Sequence, residues 1–144
     1  MQRSQLIRQG HLAGLLLAVS ATSPAISQSG GPEVTDTLPD SGRPATMDMF
    51  TAPAGGSHNL HFEICAPEVR LTLTGQETTD LDFIVWDERE QVVYSDYGDG
   101  DRTSTLIARE GDEDCQALRL LTINRGERDN EFVFRVADES RRRR

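Results

Sequence analysis

The sequence predicts an all-β protein, an antiparallel β-sandwich of jelly-roll-like form with about eight strands and one disulfide. Short segments with alternating apolar residues recur between turn signals at a spacing of roughly 8 to 12 residues, which is typical of sandwiches. Beyond the first 25 residues, no window with helical periodicity competes with them. The predicted strands cover residues 45–53, 58–65, 68–74, 81–87, 91–96, 103–109, 116–124 and 131–137.

The N-terminus has the pattern of an export signal. Arg3 and Arg8 precede an apolar stretch of ten residues, 12–21. A bilayer span needs about 20 apolar residues, so no membrane span is expected here. Small residues follow the stretch, which favours cleavage after Ala21 or Ala25. We therefore predict a signal peptide over residues 1–25 and a periplasmic or secreted protein.

The remaining chain divides into three parts. Residues 26–44 are rich in Gly, Pro, Ser and Asp and lack apolar periodicity, so a flexible linker or a loosely docked arm is expected. Residues 45–138 hold all the predicted strands and form one domain. Residues 139–144 form a C-terminal tail that ends in four arginines.

The charge balance limits the partners. The chain has 15 basic and 24 acidic residues, a formal net charge of −9. Such a surface repels nucleic acid and anionic membranes, whereas it is compatible with cations or with basic patches on proteins. We therefore expect no nucleic-acid partner. The sequence does not predict an oligomeric state.

The cysteine pair, Cys65 and Cys115, predicts a disulfide because an even number of cysteines in an exported chain usually pairs. The enclosed loop is about 50 residues long, for which the chain-entropy model gives roughly 4 kcal/mol of stabilisation. A metal-binding or catalytic thiol pair is the alternative, but neither cysteine has a histidine close to it in sequence.

The most informative segment is a predicted hairpin of two β-rich runs, 81–87 and 91–96, around a charged turn. A turn centred between Arg89 and Glu90 pairs Val85 with Tyr94, and Trp86 with Val93. Side chains alternate between the faces of a strand, so both faces of this hairpin are apolar.

One of these faces carries the predicted partner-binding patch, because only one face of a sandwich sheet lies in the core. It consists of Ile84, Trp86 and Val93. Either the hairpin is central and this face is covered by the N-terminal arm, or the face is exposed. Exposed aromatic patches on acidic proteins often mark surfaces for protein or glycan partners.

An acidic loop after the hairpin predicts a candidate calcium site, since calcium takes several oxygen ligands from compact loops. The candidate ligands are Asp80, Asp82, Asp99 and Asp101. An EF-hand count that starts at Asp99 fails, because Ser104 stands where glycine is required. A solvated turn is the alternative, and no other cofactor is expected.

No catalytic residues are predicted. His58 and His61 lie three residues apart, which places them on opposite faces of a strand. No nucleophile elbow or glycine-rich oxyanion pattern accompanies Ser57 and His58. A small hydrolase that uses paired carboxylates remains an alternative because acidic residues are abundant.

Four segments resemble those of bacterial pre-peptidase C-terminal domains. Residues 48–55 read DMFTAPAG, residues 80–87 read DLDFIVWD, residues 93–96 read VYSD, and 131–137 form the closing apolar strand. The resemblance covers about residues 45–138 and implies an exported β-sandwich, a kind often appended to secreted hydrolases, with no catalytic residues of its own. The chain departs from the family at Glu90, where the family usually has glycine, and in its Cys65–Cys115 pair.

From these patterns we expect an exported, non-catalytic binding or interaction module with a protein or polysaccharide partner. A calcium-stabilised structural domain is the alternative.

Overall fold

The computed structural model describes residues 30–39, 43–76 and 79–140. The predicted signal peptide and the four terminal arginines lie outside these residues. Nine β-strands account for the regular structure of the described chain. They are β1 (Glu33–Thr37), β2 (Ala45–Ala52), β3 (Ser57–Ile64), β4 (Glu68–Gly75), β5 (Leu81–Asp87), β6 (Val92–Asp96), β7 (Arg102–Ala108), β8 (Gln116–Asn124) and β9 (Asn130–Asp138).

The strands form two sheets packed face to face. The first sheet has the order β1-β3-β8-β5-β6, and the second has the order β2-β9-β4-β7. Neighbouring strands are antiparallel except for β1, which runs parallel to β3. The predicted all-β sandwich is therefore confirmed.

The core follows from the alternation of apolar residues in the sequence. In β3, for example, Leu60, Phe62 and Ile64 are buried between the sheets, whereas His61 and Glu63 are exposed. The same period places one face of β4, β5, β8 and β9 in the core.

The strand β1 lies inside the segment in which only a linker or a docked arm was predicted. All five of its residues are exposed. It is held by its ladder with β3 and by Leu38, which follows it, is 2% exposed and belongs to the core. The Leu38 amide also donates to the carbonyl of His61 at 2.9 Å. This part of the segment is thus a docked arm.

The predicted disulfide between Cys65 and Cys115 is present. It follows the last residue of β3 and precedes the first residue of β8, and these two residues, Ile64 and Gln116, are already paired in the ladder. The bond therefore anchors the base of the loop between β7 and β8.

The part of the chain that the structure describes contains no helix with the length and apolar character needed to cross a membrane.

Candidate functional site

The hairpin of β5 and β6 differs from the predicted register by one residue. Val85 pairs with Tyr94 as expected, but Trp86 pairs with Val92 because the register shifts between Val85 and Trp86. The predicted pairing of Trp86 with Val93 is therefore wrong. A bulge of this kind places two residues of one strand opposite one residue of the other, so Val93 leaves the face of Trp86.

The predicted patch is consequently divided between the two faces of the sheet. Val93 packs against the main core between the sheets. Ile84 and Trp86 lie on the outer face, in a second apolar cluster with Ile123 and Leu121. Ile84 is 0% exposed and Trp86 is 9% exposed. The structure thus favours burial of this face, and partner binding through Trp86 stays a prediction.

The side chain of Arg119 lies over Trp86. Its guanidinium carbon is 4.6 Å from the centre of the indole ring, which is the geometry of a cation–π contact. Glu90 holds this arginine through an ion pair of 2.8 Å. Glu90 has a φ of 58°, in the left-handed region that favours glycine. Glu90 therefore supplies the carboxylate that holds Arg119 over Trp86.

Three of the four candidate calcium ligands have separate contacts, and the fourth, Asp99, is exposed. Asp82 is 5% exposed, and its carboxylate accepts a hydrogen bond of 2.8 Å from Arg125. Asp80 accepts a longer bond of 3.3 Å from the amide of Gly100, and Asp101 lies 3.8 Å from the guanidinium of Arg102. Among the described residues, no three His, Cys, Asp or Glu side chains are grouped to hold a metal ion. A calcium site at these residues stays a prediction.

His58 connects strands on the side of the sandwich where β1 and β2 lie. It is 1% exposed, its Nδ1 donates to the carbonyl of Thr51 at 2.8 Å, and its Nε2 lies 3.3 Å from the carboxylate of Asp36. The rings of Phe50 and Phe132 pack edge-on against it, with centroid distances of 5.2 and 5.6 Å. This arrangement links four strands, since it joins β3 to β1, β2 and β9.

The opposite side of the sandwich is open and contains the candidate site. Here β6 and β7, the edge strands of the two sheets, lie next to each other with a cleft between them. We call this cleft the edge groove. Its apolar half has a volume of about 280 Å³, and its lining includes Val92, Val93, Leu106 and Ile107. Val92 is 52% exposed and Leu106 is 42% exposed.

The other half of the edge groove is strongly acidic. It has a volume of about 460 Å³ and carries five carboxylates against one guanidinium. The acidic residues are Asp87, Glu88, Glu110, Asp112 and Glu113, and the basic one is Arg89. Asp87, Glu110 and Gln116 line both halves, so the groove is continuous.

Hydrogen bonds fix both walls of the acidic half. The carboxylate of Asp87 accepts the amides of Arg89 at 2.9 Å and Gln91 at 2.8 Å, which shapes the hairpin turn. The side chain of Gln116 accepts the amide of Glu110 at 3.0 Å. Together with the adjacent disulfide, this bond holds the loop that carries the other acidic residues.

The far end of the groove is closed by a contact between the two sheets. The hydroxyl of Tyr94 in β6 is hydrogen-bonded to the hydroxyl of Thr103 in β7.

Burial raises the pKa of Tyr94. The pKa of Asp96 is lowered, mainly because its carboxylate accepts the amide of Gly98 at 2.9 Å and also a bond from Thr103. A lowered pKa is the opposite of what a general acid requires.

Sequence reasoning missed the edge groove because its two walls come from different sheets. The apolar alternation of the hairpin did indicate an apolar surface in this region, but the bulge moved Val93 to the groove. The acidic run 110–114 was visible in the sequence, yet nothing in the pattern placed it beside the hairpin turn.

No protein-family model and no curated protein matches this chain. Several solved structures are similar to it, including the following two. The pre-peptidase C-terminal domain of a collagenase from Bacillus anthracis has 8% identity and a TM-score of 0.49, over 73% of this chain and 94% of that one. A periplasmic inhibitor of g-type lysozyme from Aeromonas hydrophila, PliG, has 11% identity and a TM-score of 0.49, over 74% of this chain and 98% of that one. The chain is thus similar in structure to a domain of the family that its sequence resembles.

Proposed function

We propose that this protein is an exported, non-catalytic binding module whose partner is a protein that presents a basic segment to the edge groove. The observation that carries this proposal is the continuity of the groove, in which an exposed apolar half leads into a half with five carboxylates. Groups arranged in this way suit a partner with apolar and cationic residues next to each other.

The proposed partner is a protein because the apolar half follows the edge strands β6 and β7 and continues into acidic loops at their ends, which suits a chain with apolar and cationic side chains in sequence. A cationic side chain gains Coulomb energy from the acidic half, and this gain is largest at low ionic strength. The apolar half adds burial of Val92 and Leu106, which are otherwise exposed. Trp86 offers no open ring to a glycan because it is buried beneath Arg119, and the exposed ring of Tyr97 lies outside the groove lining.

Export is supported by the disulfide and by the signal-like N-terminal sequence, since structural disulfides persist in the periplasm and outside the cell. A non-catalytic role is supported by the chemistry of the site. The carboxylate of Asp87 is occupied by two backbone amides, and the lowered pKa of Asp96 disfavours its use as an acid.

The proposal is tested by measuring binding of the mature protein to a g-type lysozyme, to other basic proteins and to a panel of polysaccharides. The first variant is Glu110→Gln/Glu113→Gln, which removes two charges from the groove. The matched control is Glu127→Gln/Glu131→Gln, because both glutamates are exposed and lie outside the groove lining.

We expect at least one basic protein to bind, with an affinity that falls as salt is added. The groove variant should weaken binding about tenfold, and the control about twofold or less. Equal losses in the two variants would remove the edge groove from the proposal. Binding of a polysaccharide, with no basic protein bound, would replace the protein partner with a glycan.

A further inference from the structure

We infer that the partner segment is extended and binds by adding a strand to the free edge of β7, with its basic residues placed in the acidic half of the groove. This inference rests on the proposed function and specifies the conformation and chemistry of the segment.

The hydrogen-bond pattern of β7 identifies which of its backbone groups are free. The amide of Arg109 donates to Pro67, and the carbonyl of Asp101 accepts from Gly75, at the two ends of the ladder with β4. In an antiparallel ladder, the residues that bond to a given neighbour alternate along the strand. The odd-numbered residues of β7 therefore direct their backbone amides and carbonyls toward β4. The even-numbered residues direct theirs away from β4.

The residues with outward amides are Ser104, Leu106 and Ala108, in addition to Arg102. All four are exposed, and β7 is the last strand of its sheet in the described chain. An exposed edge of this kind is a template for another strand. Charged side chains that protect many natural edges are missing from the three residues 104, 106 and 108.

The surroundings of this edge specify the segment. A strand added to β7 alternates its side chains, so every second one faces the apolar half of the groove and meets Val93 and Ile107. After Ala108 the chain continues through Arg109 to Glu110 and the other acidic residues of the loop. The fitting segment therefore has alternating β-branched residues followed or preceded by two or more Lys or Arg residues.

The test uses two capped octapeptides as probes. One has three Thr–Val repeats followed by two lysines, and the other has the reversed sequence. Both are needed because an added strand can run parallel or antiparallel to β7. Each is also made with N-methyl groups on alternate residues, which block one edge of the peptide. Binding is measured by calorimetry, and amide hydrogen exchange of the protein is followed with and without peptide.

The protein variant is Leu106→Pro, and its matched control is Leu106→Ala. Proline removes the outward amide at this position but none of the bonds to β4, and proline is tolerated in edge strands. The alanine variant removes the same side-chain contact and keeps the amide. Thermal unfolding of both variants is measured to check that each retains the fold.

We expect one octapeptide to bind and to protect the amides of Ser104, Leu106 and Ala108 from exchange. N-methylation of its bonding edge and the Leu106→Pro substitution should each weaken binding about tenfold relative to their controls. If neither peptide binds, the inference is overturned. If a peptide binds and is weakened by Glu110→Gln/Glu113→Gln, but not by Leu106→Pro, strand addition is wrong while the groove proposal stands.

Discussion

The two lateral sides of the sandwich are built differently. On the side of β1 and β2, His58 links β3 to β2 through the carbonyl of Thr51, and its ring packs between Phe50 and Phe132. The side-chain amide of Asn124 in β8 donates a buried hydrogen bond of 3.0 Å to the carbonyl of Ala52 in β2. On the side of β6 and β7, the Tyr94–Thr103 bond closes one end and the edge groove occupies the rest.

This difference separates the residues that stabilise the sandwich from those that form an exposed groove. The closed side joins the sheets with buried rings and satisfied hydrogen bonds, which contribute to the free energy of unfolding. The open side leaves apolar and charged groups exposed, which does little for stability but offers a surface to a partner. Substitutions on the two sides should therefore affect different measurements.

The largest effect is expected for Phe132→Ala on the closed side. Phe132 is 0% exposed and contacts both Phe50 and His58, so its truncation leaves a cavity and should lower the free energy of unfolding by about 4 kcal/mol. Val92→Ala on the open side should lower it by about 0.5 kcal/mol or less. Urea unfolding measures both. Similar losses in the two variants would contradict the separation of the two sides.

A slightly smaller loss is expected for Trp86→Ala, which tests the patch predicted from the sequence. Trp86 packs with Ile84 and Ile123 and is 9% exposed, so its truncation should lower the free energy of unfolding by about 3 kcal/mol. Binding to the proteins that recognise the edge groove should be retained at temperatures where the variant is folded. Loss of binding without loss of stability would instead place the partner on the face of Trp86.

A small, pH-dependent effect is expected for Asp96→Asn on the open side. The pKa of Asp96 is lowered by the amide of Gly98, so the carboxylate stabilises the fold above its unfolded pKa of about 3.9. This contribution is lost as the pH falls through the lowered, folded value. The wild type should therefore lose more stability than the variant in acid, as measured by thermal unfolding between pH 7 and pH 2. Parallel curves would show that Asp96 makes no such contribution.

The smallest effect is expected for calcium. The carboxylate of Asp82 is paired with Arg125, which leaves it poorly placed to bind a cation. Millimolar calcium should therefore change the melting temperature by about one degree or less. A rise of several degrees would establish a bound ion, since a ligand that binds the native state stabilises it by mass action. Asp80→Asn and Asp99→Asn would then locate the site.

The strands could be predicted because their apolar residues alternate regularly. All eight predicted strands are present, and their ends agree with the structure to within one residue. The sequence did not reveal β1, since its five residues are exposed and its attachment depends on long-range contacts to β3. Leu38 is a single apolar residue in a polar segment, and nothing local indicates that it reaches the core.

The candidate site was less predictable because it depends on pairings between distant residues. Asp82 was predicted as a calcium ligand from its local sequence, whereas its ion-pair partner, Arg125, lies 43 positions away. The sequence left both burial and exposure of Trp86 open, and the Glu90–Arg119 pair that holds the cation over its ring joins the hairpin turn to β8. The acidic wall of the groove needs the disulfide and Gln116 to bring it beside the hairpin.

Because β6 contains a bulge, the shape of the edge groove depends on the number of residues in this strand. The extra residue, Val93, lies in the groove lining, and Val92 takes the place opposite Trp86. A deletion of one codon at this position would restore an unbroken ladder and remove one apolar side chain from the groove. A β6 that is one residue shorter is therefore compatible with the same fold but not with the same edge groove. Insertions and deletions in this strand would divide related sequences into those that keep the groove and those that lose it.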